Sequence, residues 1–119
     1  MKRLVVKMAR WDKKFLQERK RLNEIVLSGK HLGIKRFFAL DEQAYHGGAL
    51  DEKTKELMGL VASMVLRCDD CIEYHLIKSL EAEASREQVY EAFNVALVVC
   101  GSIVIPHLRR AAEKLQEML

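Results

Sequence analysis

Residues that break helices are scarce in this chain. The 119 residues include six glycines and one proline, well below the roughly 12% that average usage gives. β-Architectures with tight turns and disordered linkers both need more of these residues. The length suits one globular unit with one hydrophobic core. We therefore predict an all-α fold in a single domain that spans residues 1–119.

Apolar periodicity and end signals divide the chain into about six helices. The predicted helices run from Ala9 to Leu27, from Leu32 to Ala44, from Glu52 to Leu66, from a break at Cys68 to Asp70 on to Glu83, from Ser85 to Ile105, and from Pro106 to about Met118. Asp51 is placed to cap the third helix, and Ser85 with Gln88 forms a capping box for the fifth. Pro106 predicts a stop or kink before the last helix.

Apolar side chains are more numerous than six short helices can cover. The third and fifth helices are apolar on more than one face. The first two helices add the candidate core residues Trp11, Phe15, Leu22, Ile25, Val26, Phe37, Phe38 and Leu40. Soluble monomers rarely carry large apolar patches, so we predict a homo-oligomer. The alternative is a monomer in which the other helices wrap the two apolar ones.

No segment of the sequence predicts contact with a membrane. The most apolar stretches, residues 57–66 and 92–105, are shorter than the about 20 residues that cross a bilayer. Met1 to Met8 has too few apolar residues for the core of a signal peptide. We expect a cytoplasmic protein, and in that reducing compartment cysteines more often serve catalysis or metal binding than structural disulfides.

Charge is unevenly distributed along the chain. Residues 1–40 carry twelve lysines and arginines against three acidic residues, and the remainder is acidic. A basic helix can neutralise phosphates, so a nucleic-acid-binding helical module is one alternative function. Charges that alternate with apolar positions are more typical of a solvated face, or of a surface that pairs with an acidic neighbouring subunit. We therefore do not expect nucleic acid as the partner.

Candidate catalytic residues cluster around Cys68-Asp-Asp-Cys71. His75 follows Cys71 by four residues, which places both on one face of a helix and within reach of proton exchange. The N-terminus of that helix favours thiolate over thiol, although the two intervening aspartates oppose this effect. If the helices before and after Cys68 are antiparallel, Glu56 lies about one turn, roughly 6 Å, beyond the point opposite His75. These groups have the parts of a proton relay that serves a nucleophilic thiol and a resolving thiol.

The residues around this motif resemble a known family. The stretch from Gly48 to Leu57, followed by Cys68-x-x-Cys71-x-x-x-His75, is similar to the AhpD-like alkylhydroperoxidases of the carboxymuconolactone decarboxylase superfamily, over about residues 48–99. The resemblance implies an AhpD-like helical bundle that assembles as trimers or hexamers. It also implies reduction of organic hydroperoxides, with electrons from a lipoylated or thioredoxin-like carrier protein.

The resemblance assigns a role to each candidate residue. Cys71 would be the peroxidatic thiol, and Cys68 would close the disulfide and meet the reductant. Glu56 and His75 would form the proton relay, and neither a cofactor nor a metal would be required. Asp70 stands where well-known members have a histidine, and an acid there disfavours a second thiolate.

Two other functions remain open at this point. A zinc site could use Cys68, Cys71 and His75 with Cys100, His107 or Glu56 as the fourth ligand. A carboxymuconolactone decarboxylase-type lyase is the alternative within the same superfamily. Members of that branch generally lack the CxxC pair, so its presence favours redox chemistry. A thioredoxin fold is excluded because the CxxC follows a predicted helix instead of a strand.

Overall fold

The computed structural model describes residues 10–119, with side chains from Lys13 onward. The predicted helix start at Ala9, the Trp11 side chain and the Met1 to Met8 segment lie outside the described residues. All regular structure within residues 10–119 is helical, as predicted. The helices are α1 (Arg10–Ser28), α2 (Leu32–Ala44), α3 (Glu52–Val65), α4 (Asp69–Glu81), α5 (Arg86–Cys100) and α6 (Ile105–Met118), with a 3₁₀ helix (Gly101–Val104) between α5 and α6.

The described chain divides into two compact units. One contains α1 and α2 and ends at His46, and the other runs from Gly47 to Leu119 and contains α3 to α6. The prediction of a single domain stays a prediction.

The first unit has little buried surface. No residue of α2 is buried, and Phe37 and Leu40 are 67% and 63% exposed. Leu22, Ile25 and Val26 of α1 are also exposed. The prediction that these side chains form core within the chain is therefore wrong, because two short helices offer too little surface to cover both apolar stripes.

The second unit holds the hydrophobic core. Its fully buried large side chains are Leu60 and Met64 of α3, Leu76, Ile77 and Leu80 of α4, Val89 and Phe93 of α5, Val104, and Leu115 and Met118 of α6. Helix α3 packs against both α4 and α5, and α6 packs against α4. The candidate catalytic residues from Cys68 to His75 therefore lie at the start of α4, a helix that packs against both α3 and α6.

The predicted helix caps are confirmed. The Asp51 side chain accepts the Thr54 amide N–H at 2.8 Å at the start of α3. At the start of α5, Ser85 Oγ accepts the Gln88 N–H at 3.1 Å, and the Gln88 side chain accepts the Ser85 N–H at 2.9 Å. These contacts satisfy amides that have no partner within the helix.

The break between the last two helices lies earlier than predicted. Helix α5 ends at Cys100, and Gly101 has φ +76°, a backbone conformation that residues with a side chain rarely adopt. Pro106 lies in the first turn of α6, where its missing N–H leaves no hydrogen bond unmade. The glycine therefore interrupts the helix, and the proline starts the next one.

The run from Arg86 to Met118 was not anticipated as a membrane-span candidate. By length and composition alone it is apolar enough to cross a bilayer. Gly101 and the 3₁₀ turn divide it into two helices, and each buries a face on the rest of its unit. Core helices of ordinary globular proteins pass the same test, so this run is weak evidence for a membrane.

Candidate functional site

A tight turn between α3 and α4 positions the cysteine motif. The Arg67 N–H donates to the Met64 carbonyl at 3.0 Å, and the Cys68 N–H donates to the Ser63 carbonyl at 3.1 Å. Arg67 has φ +57°, the left-handed conformation that commonly ends a helix and that usually falls to glycine. The turn reverses the chain within a few residues, so α3 and α4 form a helical hairpin with Cys68 at its tip.

The two cysteines of the motif occupy the N-terminus of α4. Cys68 is the N-cap residue, and its Sγ accepts the Cys71 amide N–H at 3.3 Å. A disulfide joins Cys68 to Cys71 across a Cα–Cα distance of 5.3 Å. Cys68 is half-buried and Cys71 is exposed. This end of the helix provides the amides that stabilise a sulfur anion when the pair is reduced.

Glu56 and His75 form a direct contact across the hairpin. His75 Nδ1 lies 2.9 Å from Glu56 Oε1, and the side chains are only 12% and 3% exposed. The predicted proximity of these two residues is confirmed, and the contact needs no bridging water. The ring of Tyr74 meets the His75 ring edge-on, with 5.3 Å between centroids. Contacts on both sides of the imidazole fix its orientation.

A lysine adds positive charge next to this pair. Lys78 lies on α4 one turn after Tyr74, and its ammonium is 3.2 Å from Glu81 Oε2. Partial burial lowers the pKa of Lys78, but the negative charge and hydrogen bond of Glu81, with smaller contributions from Tyr74 and Glu56, raise it above its ordinary value overall. The ammonium of Lys78 therefore stays protonated in the neutral range and adds positive charge near the Glu56 carboxylate.

A second cluster beside the cysteines was not predicted from the sequence. His107 Nδ1 lies 2.7 Å from Asp69 Oδ1, and Arg110 Nη2 lies 3.1 Å from Asp69 Oδ2. His107, which the zinc hypothesis names as a possible ligand, binds the residue next to Cys68 in the structure. The sequence held one signal of this cluster. His107 and Arg110 are three residues apart, which places both side chains on one face of a helix.

Glu73 lies on α4 two residues before His75. Its side chain is buried and forms an ion pair with Lys114 of α6. Glu73 therefore ties α4 to α6 and does not belong to the proton relay.

The part of the chain that the structure describes does not bring together a set of zinc ligands. Cys68 and Cys71 are joined to each other, and no group of three or more His, Cys, Asp or Glu side chains within residues 10–119 is arranged to hold a metal ion. Cys100 is half-buried, and its thiol lies 3.6 Å from the Val65 carbonyl oxygen. That contact joins the end of α5 to the end of α3.

Comparison with known proteins places the chain among helical proteins of one family. Residues 34–114 match the model of the carboxymuconolactone decarboxylase family. A Paracoccus denitrificans protein known as uncharacterized protein 4 in cox locus is 33% identical over 82 residues, which cover 69% of this chain and 74% of the relative.

Solved structures give the same placement. A Thermotoga maritima protein is 62% identical in one crystal structure, with a TM-score of 0.86 and coverage of 88% of this chain and 92% of that one. A second crystal structure of the Thermotoga maritima protein aligns at 60% identity with a TM-score of 0.83, and the alignment covers 87% of this chain and 88% of that one. That protein is described as a carboxymuconolactone decarboxylase family protein, and a part in the antioxidative response has been suggested for it. A Legionella pneumophila member of the family is 27% identical, with a TM-score of 0.74 and coverage of 88% and 91%.

Proposed function

The chain belongs to the carboxymuconolactone decarboxylase family, and we propose that within this family it is a thiol-dependent peroxidase that reduces organic hydroperoxides. One observation carries the proposal. The Cys68–Cys71 pair lies at a helix N-terminus, one turn ahead of an imidazole that is held by the buried carboxylate of Glu56. The antioxidative role suggested for the Thermotoga maritima relative supports the same chemistry.

The proposed reaction begins at the exposed thiol. Cys71, as thiolate, attacks the distal oxygen of the hydroperoxide, the O–O bond breaks, and the alkoxide takes a proton and leaves as an alcohol. His75 first removes the thiol proton, since Glu56 engages Nδ1 and directs Nε2 to proton exchange. Cys71 is then a sulfenic acid.

The resolving step converts the Cys71 sulfenic acid into a disulfide. The Cys68 thiolate attacks the Cys71 sulfur, the S–S bond forms, and the sulfenic oxygen leaves as water. A dithiol carrier, either lipoylated or thioredoxin-like, then reduces the disulfide by thiol exchange. The balanced cycle converts one hydroperoxide and one dithiol into an alcohol, water and a disulfide, and it uses no metal or prosthetic group.

The mass of the cysteine peptide after peroxide treatment tests this function. Reduced protein is treated with one equivalent of tert-butyl hydroperoxide, and the peptides are mapped without reductant. We expect the loss of two hydrogens, localised to the peptide that contains Cys68 and Cys71. The Cys71→Ser variant should show no such loss. Two unchanged thiols in the wild type would contradict the proposal.

Serine substitutions at the same two cysteines distinguish a lyase from a thiol-dependent peroxidase. A decarboxylase that does not use thiols would turn over carboxymuconolactone equally well when Cys68 and Cys71 are both serine. We expect no such turnover in the wild type or in the double variant. Retained lactone turnover in the double variant would assign the protein to the lyase branch.

Self-association is part of the proposal, together with a cytoplasmic location. An open apolar groove of about 530 Å³ lies between α3 and α5 and is lined mainly by Leu57, Met58, Val61, Ala62, Ala92 and Val95. Nearby on α5, Val98 is 77% exposed. Apolar surface of this kind is typically buried between subunits, and we propose that a second copy of the chain covers it.

Light scattering coupled to size exclusion measures the predicted assembly. At micromolar concentration we expect a trimer or hexamer of the 13.7 kDa chain. Replacing Met58 in the groove with glutamate should shift the population toward smaller species, because it places a charge in a desolvated contact. Glu52→Gln, on the exposed first turn of the same helix, is the control. A wild-type species of 13.7 kDa would contradict the prediction.

A further inference from the structure

Asp69, the residue that follows Cys68, forms a cluster with two side chains of α6. Asp69 is the first residue of α4 and follows Cys68 in the chain. Both of its carboxylate oxygens are engaged from α6, one by His107 at 2.7 Å and the other by Arg110 at 3.1 Å. Arg110 Nη2 also lies 3.2 Å from His107 Nδ1. The proposed reaction does not use these residues.

The cluster counters an electrostatic problem of the motif. Two aspartates separate the cysteines, and their negative charges disfavour a thiolate nearby. Both aspartates are exposed, Asp69 with 47% of its side chain accessible, so water screens part of each charge. Asp69 is the closer of the two to Cys68 in sequence, and its charge is the one that α6 neutralises.

We propose that His107 and Arg110 are positioning residues that neutralise Asp69 and thereby maintain Cys68 as a reactive thiolate. This inference deepens the proposed function, because Cys68 is the thiol that resolves the sulfenic acid and meets the reductant. Both residues act through Asp69 and do not contact the peroxide.

Other polar and charged groups near Cys68 also affect its ionisation. Arg67 and the two aspartates flank it in the chain, and the Cys71 N–H donates to its sulfur. The Glu56–His75 pair lies across the hairpin, and the Cys100 thiol contacts the carbonyl of Val65, three residues before Cys68. From α6, the His107 ring and the Arg110 guanidinium bind the carboxylate of Asp69, the residue that follows Cys68.

The ionisation of Asp69 is consistent with this arrangement. Partial burial raises its pKa, but the hydrogen bond with His107 and the positive charges of Arg110 and His107 outweigh this, so the pKa lies below its ordinary value. Asp69 is therefore ionised, and without its partners its negative charge, partly screened by water, would act on the neighbouring Cys68.

The thiol pKa of Cys68 in variants without other cysteines tests the inference. In a Cys71→Ser/Cys100→Ser background, the pKa is read from the pH dependence of alkylation by iodoacetamide. We expect Arg110→Met to raise it by about one unit, which lowers the thiolate fraction at neutral pH about tenfold. Arg110→Lys should restore most of the reactivity, because it returns the charge.

Two further variants separate electrostatics from packing. Arg109→Met removes the same charge from the adjacent position. Arg109 is exposed, and the described side chains that bind Asp69 are His107 and Arg110, so this variant should leave the pKa of Cys68 nearly unchanged. Asp69→Asn should lower the pKa, and the Asp69→Asn/Arg110→Met double variant should lie near the parent. Added salt should reduce these differences. Unfolding by urea reports separately on stability.

The inference is wrong if Arg110→Met and Arg109→Met give the same Cys68 pKa, or if Arg110→Met changes only the unfolding midpoint. If Arg110→Met does not fold, the Asp69→Asn and Arg110→Lys variants decide between the same outcomes. The pKa measurement needs neither peroxide nor reductant. A wild type that resists oxidation by peroxide, with a pKa that responds to Arg110, would therefore reject the peroxidase proposal and keep this one.

Discussion

Replacing Cys71 with serine is expected to reduce hydroperoxide turnover by about a thousandfold or more, because a hydroxyl in the same position does not ionise near neutral pH and leaves no nucleophile. Cys71 is exposed, while Cys68 is half-buried, so peroxide reaches Cys71 more readily. The measurement is the rate of alcohol formation from cumene hydroperoxide with dithiothreitol as electron donor.

The other two cysteines provide the controls for this prediction. Cys68→Ser should allow one oxidation and then stop at a Cys71 sulfenic acid, which dimedone traps as an adduct. Cys100→Ser should retain nearly full activity, because the Cys100 thiol contacts only the Val65 carbonyl among the hydrogen bonds described. A Cys71→Ser variant that matches the wild type would show that the thiol chemistry lies elsewhere.

Local signals in the sequence predicted most of the helices. Asp51, and Ser85 with Gln88, cap α3 and α5 as expected, because a cap depends on residues only three apart. The end of α5 was harder to predict. Both Gly101 and Pro106 can interrupt a helix, and the choice between them depends on where each one falls relative to the first turn of α6.

The predictions for the site succeeded where the geometry was local to the hairpin. The separation of Glu56, the CxxC and His75 predicted the Glu56–His75 contact once the two helices were taken as antiparallel. The contacts of Asp69 with His107 and Arg110 join residues 38 and 41 positions apart. No periodicity in one sequence specifies how α6 docks on α4, so these contacts required the structure.

Glu56 is expected to be the most sensitive positioning residue in the protein. Glu56→Gln preserves the shape of the side chain but removes the negative charge that fixes the tautomer and stabilises the protonated ring of His75. The amide can present its NH₂ to Nδ1, and the ring then carries its proton on Nε2 and cannot accept one from Cys71. General-base catalysis of this kind contributes about 10²- to 10⁴-fold. We expect a loss of that size in the single-turnover rate of Cys71 oxidation, measured by stopped flow.

The comparison with other variants identifies the cause of that loss. Glu52→Gln removes a carboxylate from the exposed first turn of the same helix and should leave the oxidation rate unchanged. Glu56→Asp keeps the charge on a shorter side chain, so it should recover part of the rate. If the loss came from a damaged fold, the unfolding midpoint would fall in parallel with the rate; because glutamine fills the same buried space, we expect the midpoint to change far less. A Glu56→Gln variant that oxidises Cys71 at the wild-type rate would remove Glu56 from the mechanism, and the thiolate would then depend on the helix N-terminus alone.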